Sequence, residues 1–247
     1  MKKLFARRTK RYLIIYSVIL FLGHGKLFSA NAYQVIPIEH GGELSGKILI
    51  TGQPRSTPPH QAKSDANYCG PEIEYESNKV NVENLGLANT VVSLEGISRG
   101  KKHLPSTIPL EMIKCQFRPN IFTGVVGDNY GLFNRDPLLH NVHLRSGDTT
   151  IFNIALYPNG KKIVKPLTQP GVINVKCEIH PFMSATMVIF DHPYFTVTNQ
   201  NGEYTISDIP AGKYMVRIWH EGISTSEKEV TINAATQTNL SVELSFP

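Results

Sequence analysis

No stretch of the chain shows a sustained helical period. From Ile113 to Phe190 short apolar alternations recur between turn signals, of which Gly127-Asp128 and Ser146-Gly147-Asp148 are the clearest. The pattern continues beyond Asp191: Tyr194 to Thr198, a tight hairpin turn at Asn199 to Gly202, Glu203 to Ile206, a second hairpin turn at Pro210 to Gly212, and Lys213 to Trp219. Glu227 to Ile232 and Thr238 to Leu244 complete it. Upstream, Leu44 to Thr51 and Leu87 to Gly96 have the same β-branched character. Residues 53 to 68 and 97 to 110 are polar or proline-rich and read as loops. Successive side chains of a strand point to opposite faces, so segments this short bury one face against a second sheet. The chain is therefore expected to be all-β and built from sandwiches.

The formal charge of +5 belongs to one end. The first 32 residues hold seven basic side chains and no acidic one, which leaves 18 basic against 20 acidic residues in the remainder. That remainder carries a net −2, so no broad basic surface for nucleic acid is implied. The leader has a cationic stretch ending at Arg11, an apolar run from Tyr12 to Gly23, and Ala30-Asn31-Ala32, an A-x-A cleavage signal. This is the layout of a secretory signal peptide over residues 1–32. The apolar run is short of the ~20 residues that a span requires, which favours cleavage over an uncleaved anchor. Lys10 and Arg11 stand where a twin-arginine signal needs apolar residues. No other stretch is long or apolar enough to span a membrane, so the expected location is the periplasm, with no span after cleavage.

Residues Cys177-Glu178-Ile179-His180-Pro181-Phe182-Met183 read C-x2-H-x2-M. A thiolate, an imidazole and a thioether on one short loop, completed by a second histidine, form the donor set of a mononuclear type 1 copper centre. Zinc also accepts Cys and His, but thioethers are poor zinc ligands. Export gives the other cysteines a meaning as well. If Cys177 binds metal, Cys69 and Cys115 are left as a pair, and a disulfide between them would stabilise the fold by about 4 kcal/mol in the chain-entropy model. The alternative is that both are free.

A second histidine lies upstream in Asn134-Arg135-Asp136-Pro137-Leu138-Leu139-His140-Asn141-Val142-His143-Leu144. Here residues 111–190 resemble the cupredoxins, and within them the short-loop amicyanin group. The resemblance is carried by Val126-Gly127-Asp128 followed by Phe133-Asn134-Arg135, by the H-N-V-H stretch from His140, and by C-x2-H-P-F-M followed by an apolar strand, Ala185 to Phe190. It implies a Greek-key β-sandwich with one copper ion held by His140, Cys177, His180 and a long axial Met183. It also implies that Asn134 ties the two ligand-bearing segments together and that Phe182 shields the metal or packs beside it. Pro181 stiffens the loop by fixing its own φ. His143 is read as structural or surface, and Glu178 as facing solvent.

The tail, Phe195 to Ile206 and Ile209 to Val216, resembles the carboxypeptidase regulatory-like (transthyretin-like) sandwich. Residues 191–247 lack that family's opening strands, but Ser45 to Thr51 and Asn89 to Leu94 are candidates for them. This predicts a second, smaller sandwich in which residues 44–96 complete 191–247. Residues 33–110 supply its N-terminal strands and loops, and the 111–190 part is inserted. The alternative is a simple tandem. His192 and His220 lack a second partner at ligand spacing and are not read as metal ligands.

Four protein donors leave no open position for a substrate, and the chain carries no nucleophile-elbow serine, phosphate-binding glycine loop or H-E-x-x-H. The expected function is therefore not enzymatic. It is single-electron transfer to or from a redox partner protein, with His180 as the exposed exit and Pro181 and Phe182 in the docking patch. The alternative is a non-redox copper-binding or structural adaptor of the envelope.

Overall fold

The computed structural model describes residues 33–51, 60–62, 64–73, 80 and 84–245. The signal-peptide reading of residues 1–32 lies outside them, as does the loop reading of residues 53–59. In chain order the elements begin with β1 (Gln34–Val35), β2 (Gly42–Thr51), β3 (His60–Gln61), the single helical turn α1 (Ala66–Cys69), β4 (Glu72–Ile73), β5 (Val91–Glu95) and β6 (Arg99–Gly100). Next come β7 (Thr107–Ile113), β8 (Gln116–Arg118), β9 (Ile121–Val125), β10 (Asn129–Asn134), β11 (His140–Ser146), β12 (Thr149–Leu156), β13 (Ile163–Pro166), β14 (Gly171–Lys176) and β15 (Ser184–Phe190). The last are β16 (Phe195–Val197), β17 (Glu203–Ile209), β18 (Gly212–His220), β19 (Ile223–Ile232), β20 (Gln237–Asn239) and β21 (Val242–Ser245). Among the described residues no helix is long and apolar enough to cross a membrane.

Four sheets stack as two sandwiches. In one, the order β13-β10-β7-β8 faces β12-β11-β14-β15-β9. Their inner faces share a core of Leu110, Met112, Leu132, Val142, Leu144, Val175 and Met187, which also includes Cys177, Phe182 and Met183. In the other, β16-β5-β18-β19 faces β17-β2-β20, and β21 also pairs with β2. Leu44, Ile48, Ile50, Leu94, Tyr194, Ile206, Val216 and Ile218 fill its core. Val91, Ile121 and Val188 form a small third cluster, with Phe190, Val197 and Trp219 packed against it. It draws on β5, β9, β15, β16 and β18, so it joins the sandwiches.

The inward alternation of β14 shows why the pattern was readable: Ile173 and Val175 are buried while their neighbours are exposed. The tail strands take their neighbours from far upstream. β5 lies between β16 and β18, and β2 pairs with β17, β20 and β21. Two expectations need correction. Residues 97–110 are not one loop, since they contain β6 and the first residues of β7. The turns at Asn199–Gly202 and Pro210–Gly212 are not hairpins within a sheet. β16 and β18 pair with β5 whereas β17 between them pairs with β2, so both turns carry the chain across the sandwich. At the first of them Gly202 takes φ +74, and the Asn199 side chain accepts from the Asn201 and Glu203 amides.

The Gly127-Asp128 turn is held by its own carboxylate. Asp128 is buried and accepts from the amides of Val125 (2.9 Å) and Ser106 (2.6 Å) and from His103 Nε2 (2.8 Å). Burial alone would push this carboxyl up, but those donors outweigh it and hold it below its ordinary value. A group depressed on folding stabilises the fold above its unfolded pKa and loses that contribution as pH falls through the folded value. Asp128→Ala is expected to lower unfolding free energy by about 2–4 kcal/mol at neutral pH, because the buried Val125 amide loses its acceptor, and the Ser106 amide and His103 lose theirs. The gap from wild type should narrow below about pH 4, which urea unfolding at a series of pH values measures.

Candidate metal centre

The site is made where strands end. β11 begins at His140, opposite Leu156 of β12. β14 ends at Lys176, which pairs with Ser184 of β15 on one side and with His143 of β11 on the other. Residues 177–183 are therefore the loop of the β14–β15 hairpin, delivered beside the start of β11. The Met183 amide donates to the His180 carbonyl (2.8 Å) and the Cys177 amide to the Met183 carbonyl (3.3 Å). These bonds fold the loop so that its three donor residues belong to one turn.

His140 and His180 have no exposed surface, and Cys177 and Met183 have 1 % each. His140 Nδ1 lies 3.0 Å from His180 Nδ1, and Cys177 Sγ lies 3.9 Å from His180 Nδ1. The three donor atoms all fall within 4.8 Å of one another. Two imidazole nitrogens about 2.0 Å from a shared ion stand about 3.3 Å apart at a tetrahedral angle, and a thiolate about 2.3 Å from it stands about 3.6 Å from each. The His140–His180 and Cys177–His180 separations each lie within about 0.3 Å of those values. A second grouping, Cys115, Asp136 and His140, cannot act in the same way, because Cys115 is bonded to Cys69 in a disulfide.

Both rings are turned the same way. His140 Nε2 faces Asp136 Oδ2 at 2.9 Å, and His180 Nε2 faces Asp65 Oδ2 at 2.9 Å. An ionised carboxylate can only accept, so each Nε2 carries the proton and each Nδ1 presents its lone pair. Two lone pairs aimed at each other across 3.0 Å repel unless a proton or a cation lies between them. The electrostatics supply the proton. Burial would lower the pKa of His140, but Asp136 and Cys177 outweigh it and raise it to about 9. Burial would raise that of Cys177, but His140 and the amides of Asn141 and His180 bring it down to about 7. Those amides lie 3.5 and 3.4 Å from Sγ. Metal binding would displace the proton and use the thiolate already favoured there.

Several assigned roles change. Asn134 does not reach the cysteine loop: its side-chain amide donates to the carbonyls of Leu138 (2.7 Å) and Leu156 (2.8 Å), and its oxygen accepts from the Asp136 amide (3.0 Å). It shapes the 134–138 turn instead. The tie between the two ligand segments is Asn141, whose amide meets Cys177 Sγ and whose side-chain oxygen accepts from the Glu178 amide. His180 is not an exposed exit, because the 64–69 segment covers it with Asp65. Phe182 is buried, with its ring 5.6 Å from that of His180, so it is no part of a surface patch. Pro181 is exposed, as are Ile179 and Leu139. Glu178 is exposed and pairs with His143, which also meets Thr150 Oγ1 at 2.8 Å. The sequence reading missed Asp136, four residues before His140, where a carboxylate so near a ligand was a usable signal. It also missed Asp65, which had no signal, being one acid in a polar stretch 115 residues from its partner.

The carboxypeptidase regulatory-like domain family matches residues 180–245. No curated protein matches the chain. Among solved structures, a reduced amicyanin variant is 23% identical over 34% of this chain and 81% of its own, with a TM-score of 0.31. Amicyanin from Paracoccus versutus is 16% identical over 34% of this chain and 80% of its own, also with a TM-score of 0.31. A copper-containing nitrite reductase from Thermus scotoductus SA-01 is 21% identical, with a TM-score of 0.32. That match covers 37% of this chain but only 23% of the reductase.

The pairing between Asp136 and the donors has a measurable consequence in the metal-free protein. Thiolate absorbance in the ultraviolet should rise with a midpoint about pH 7 rather than at the ordinary thiol value of about 8.5. Asp136→Asn weakens the hold on protonated His140, so the midpoint should move upward. An unchanged midpoint in the variant would contradict the coupling.

Proposed function

We propose that the chain is an exported type 1 copper protein that carries single electrons, with His140, Cys177 and His180 as the strong ligands and Met183 as the weak axial one. The observation that supports it is the convergence of two Nδ1 lone pairs and one thiolate in a buried pocket, with each opposite ring nitrogen tied to a carboxylate. Copper, when bound, supplies a one-electron couple between Cu(I) and Cu(II). The residues supply constancy of shape. Asp136 and Asp65 orient the rings, the Asn141 and His180 amides orient the sulfur, and the hairpin bonds fix Met183. Orientation by such outer partners would let the same residues hold either oxidation state with little movement of their own. Burial of all four donors gives no room for substrate, which favours a carrier over an enzyme.

In this reading residues 111–190 form the copper-bearing unit, set into a sandwich made by residues 44–96 and 191–247, and the signal over residues 1–32 sends the mature chain to the periplasm. A partner would dock through a small, transient interface, with Leu139, Ile179 and Pro181 as the exposed apolar residues beside the ligands in sequence. A second reading, a non-redox copper store or envelope adaptor, draws support from one observation: the ring meant to serve as the exit is covered.

The optical spectrum decides between the main readings. Cu(II)-loaded protein should show the intense visible charge-transfer band of a copper–thiolate bond and a reversible one-electron wave in voltammetry. Cys177→Ser should abolish the band. Tight Cu(I) retention with no band and no reversible wave would reject electron transfer in favour of storage.

A further inference from the structure

The segment over His180 comes from the polar stretch upstream and is fastened at several points. β3 and β4 pair antiparallel, His60 with Ile73 and Gln61 with Glu72, and the Ala62 amide donates to the Pro71 carbonyl (3.2 Å). These bonds close a small strap around α1. Cys69 fixes its C-terminal end to Cys115 through the disulfide. Tyr68 donates from its hydroxyl to Asp136 Oδ1 (2.9 Å), and Lys114 Nζ lies 4.3 Å from the centre of the Tyr68 ring. Tyr68, Cys69 and Ala62 pack against the copper-side core. Asp65 sits at the crest in the left-handed region, φ 54, which Asp and Asn accept more readily than other non-glycine residues. Its carbonyl takes the amides of Tyr68 and Cys69, both at 2.9 Å. The backbone is thus set so that the carboxylate reaches His180 Nε2 at 2.9 Å, with its own side chain 40% exposed and the imidazole wholly covered.

We propose that Asp65 is a positioning residue of the metal centre, and that the Ser64–Cys69 strap is its lid. By accepting from Nε2, Asp65 holds the His180 ring with Nδ1 toward Cys177 and His140. By lying over the ring edge it denies that edge to solvent, to chelators and to a docking protein. The role in metal retention rests on the copper reading; the covering of His180 does not. A structural residue on the same strap, such as the disulfide, fixes where the segment lies. Among the described residues of the strap, Asp65 is the one that hydrogen-bonds the ring.

Two variants and two probes test this on the full mature chain. Asp65→Gly removes the carboxylate while tolerating the left-handed backbone, and Asp65→Asn keeps an acceptor oxygen there. In the metal-free protein, carbethoxylation of His180 by diethyl pyrocarbonate, mapped by peptide mass spectrometry, should be slow in the wild type and about 10-fold faster or more in Asp65→Gly. His140, buried against Asp136, serves as the internal control and should not change. In copper-loaded protein, Cu(I) competition against bicinchoninate should show an affinity loss of about 10- to 100-fold in Asp65→Gly and a smaller one in Asp65→Asn. The proposal is overturned if His180 reactivity and Cu(I) affinity in Asp65→Gly both stay within about twofold of wild type. If the wild type binds no copper yet His180 reactivity still follows Asp65, the copper reading fails and the lid stands.

Discussion

The carboxylate of Asp136 has 1 % of its surface exposed and accepts four hydrogen bonds: from the amides of Lys114 and Cys115, from the Tyr68 hydroxyl and from His140 Nε2. These donors belong to three separate stretches of structure: the β7–β8 turn that carries the disulfide cysteine Cys115, the strap, and the first residue of β11. A buried charge is tolerable only when its lone pairs are filled, and here the filling defines the site. Burial would push the carboxyl up, and its donors hold it below its usual range. The same charge keeps His140 protonated on Nε2, so Nδ1 is the nitrogen offered to a metal. Removing it would loosen the strap, the disulfide turn and the ligand together.

The β14–β15 hairpin supplies the rest. Its strands are ordinary, alternating and half-buried, and their register places Lys176 opposite Ser184. Seven residues then bridge the ends, too few to wander, so Cys177 and His180 stay close, and the loop's own His180 amide joins the Asn141 amide of β11 at the sulfur. Rigidity here comes from chain length and hydrogen bonding rather than from packing alone. That is the property a centre needs if it is to change oxidation state without moving.

The all-β class was legible because burial follows a period of two, as at Ile173 and Val175 in β14. The tail's missing strands could be sought upstream because Leu44 to Thr51 and Val91 to Leu94 have the apolar character a central strand requires, and β2 and β5 do pair with tail strands. Less legible was which sheet each strand joins. The Asn199–Gly202 turn has hairpin chemistry, yet it crosses the sandwich, because turn residues report local φ and not the partner that a strand finds. Leu156 to Pro170 carries little period, because β13 within it is an edge strand with one paired side and a weak burial contrast. At the site, donor types and their spacing revealed His140, Cys177, His180 and Met183 as candidates. The partners of the rings were not readable in the same way. Asp65 meets His180 only through tertiary folding, and the choice between Asn134 and Asn141 as the tie depends on side-chain direction at the start of β11.

The claim on which the account turns is that one ion is held by two imidazoles, one thiolate and a distant thioether, with no water. X-ray absorption at the copper edge of the Cu(II)-loaded and Cu(I)-loaded protein tests it directly. Two nitrogen neighbours and one short sulfur are expected, with distances that barely differ between the oxidation states. A coordination shell without the short sulfur, or one that gains an oxygen ligand on oxidation, would contradict it.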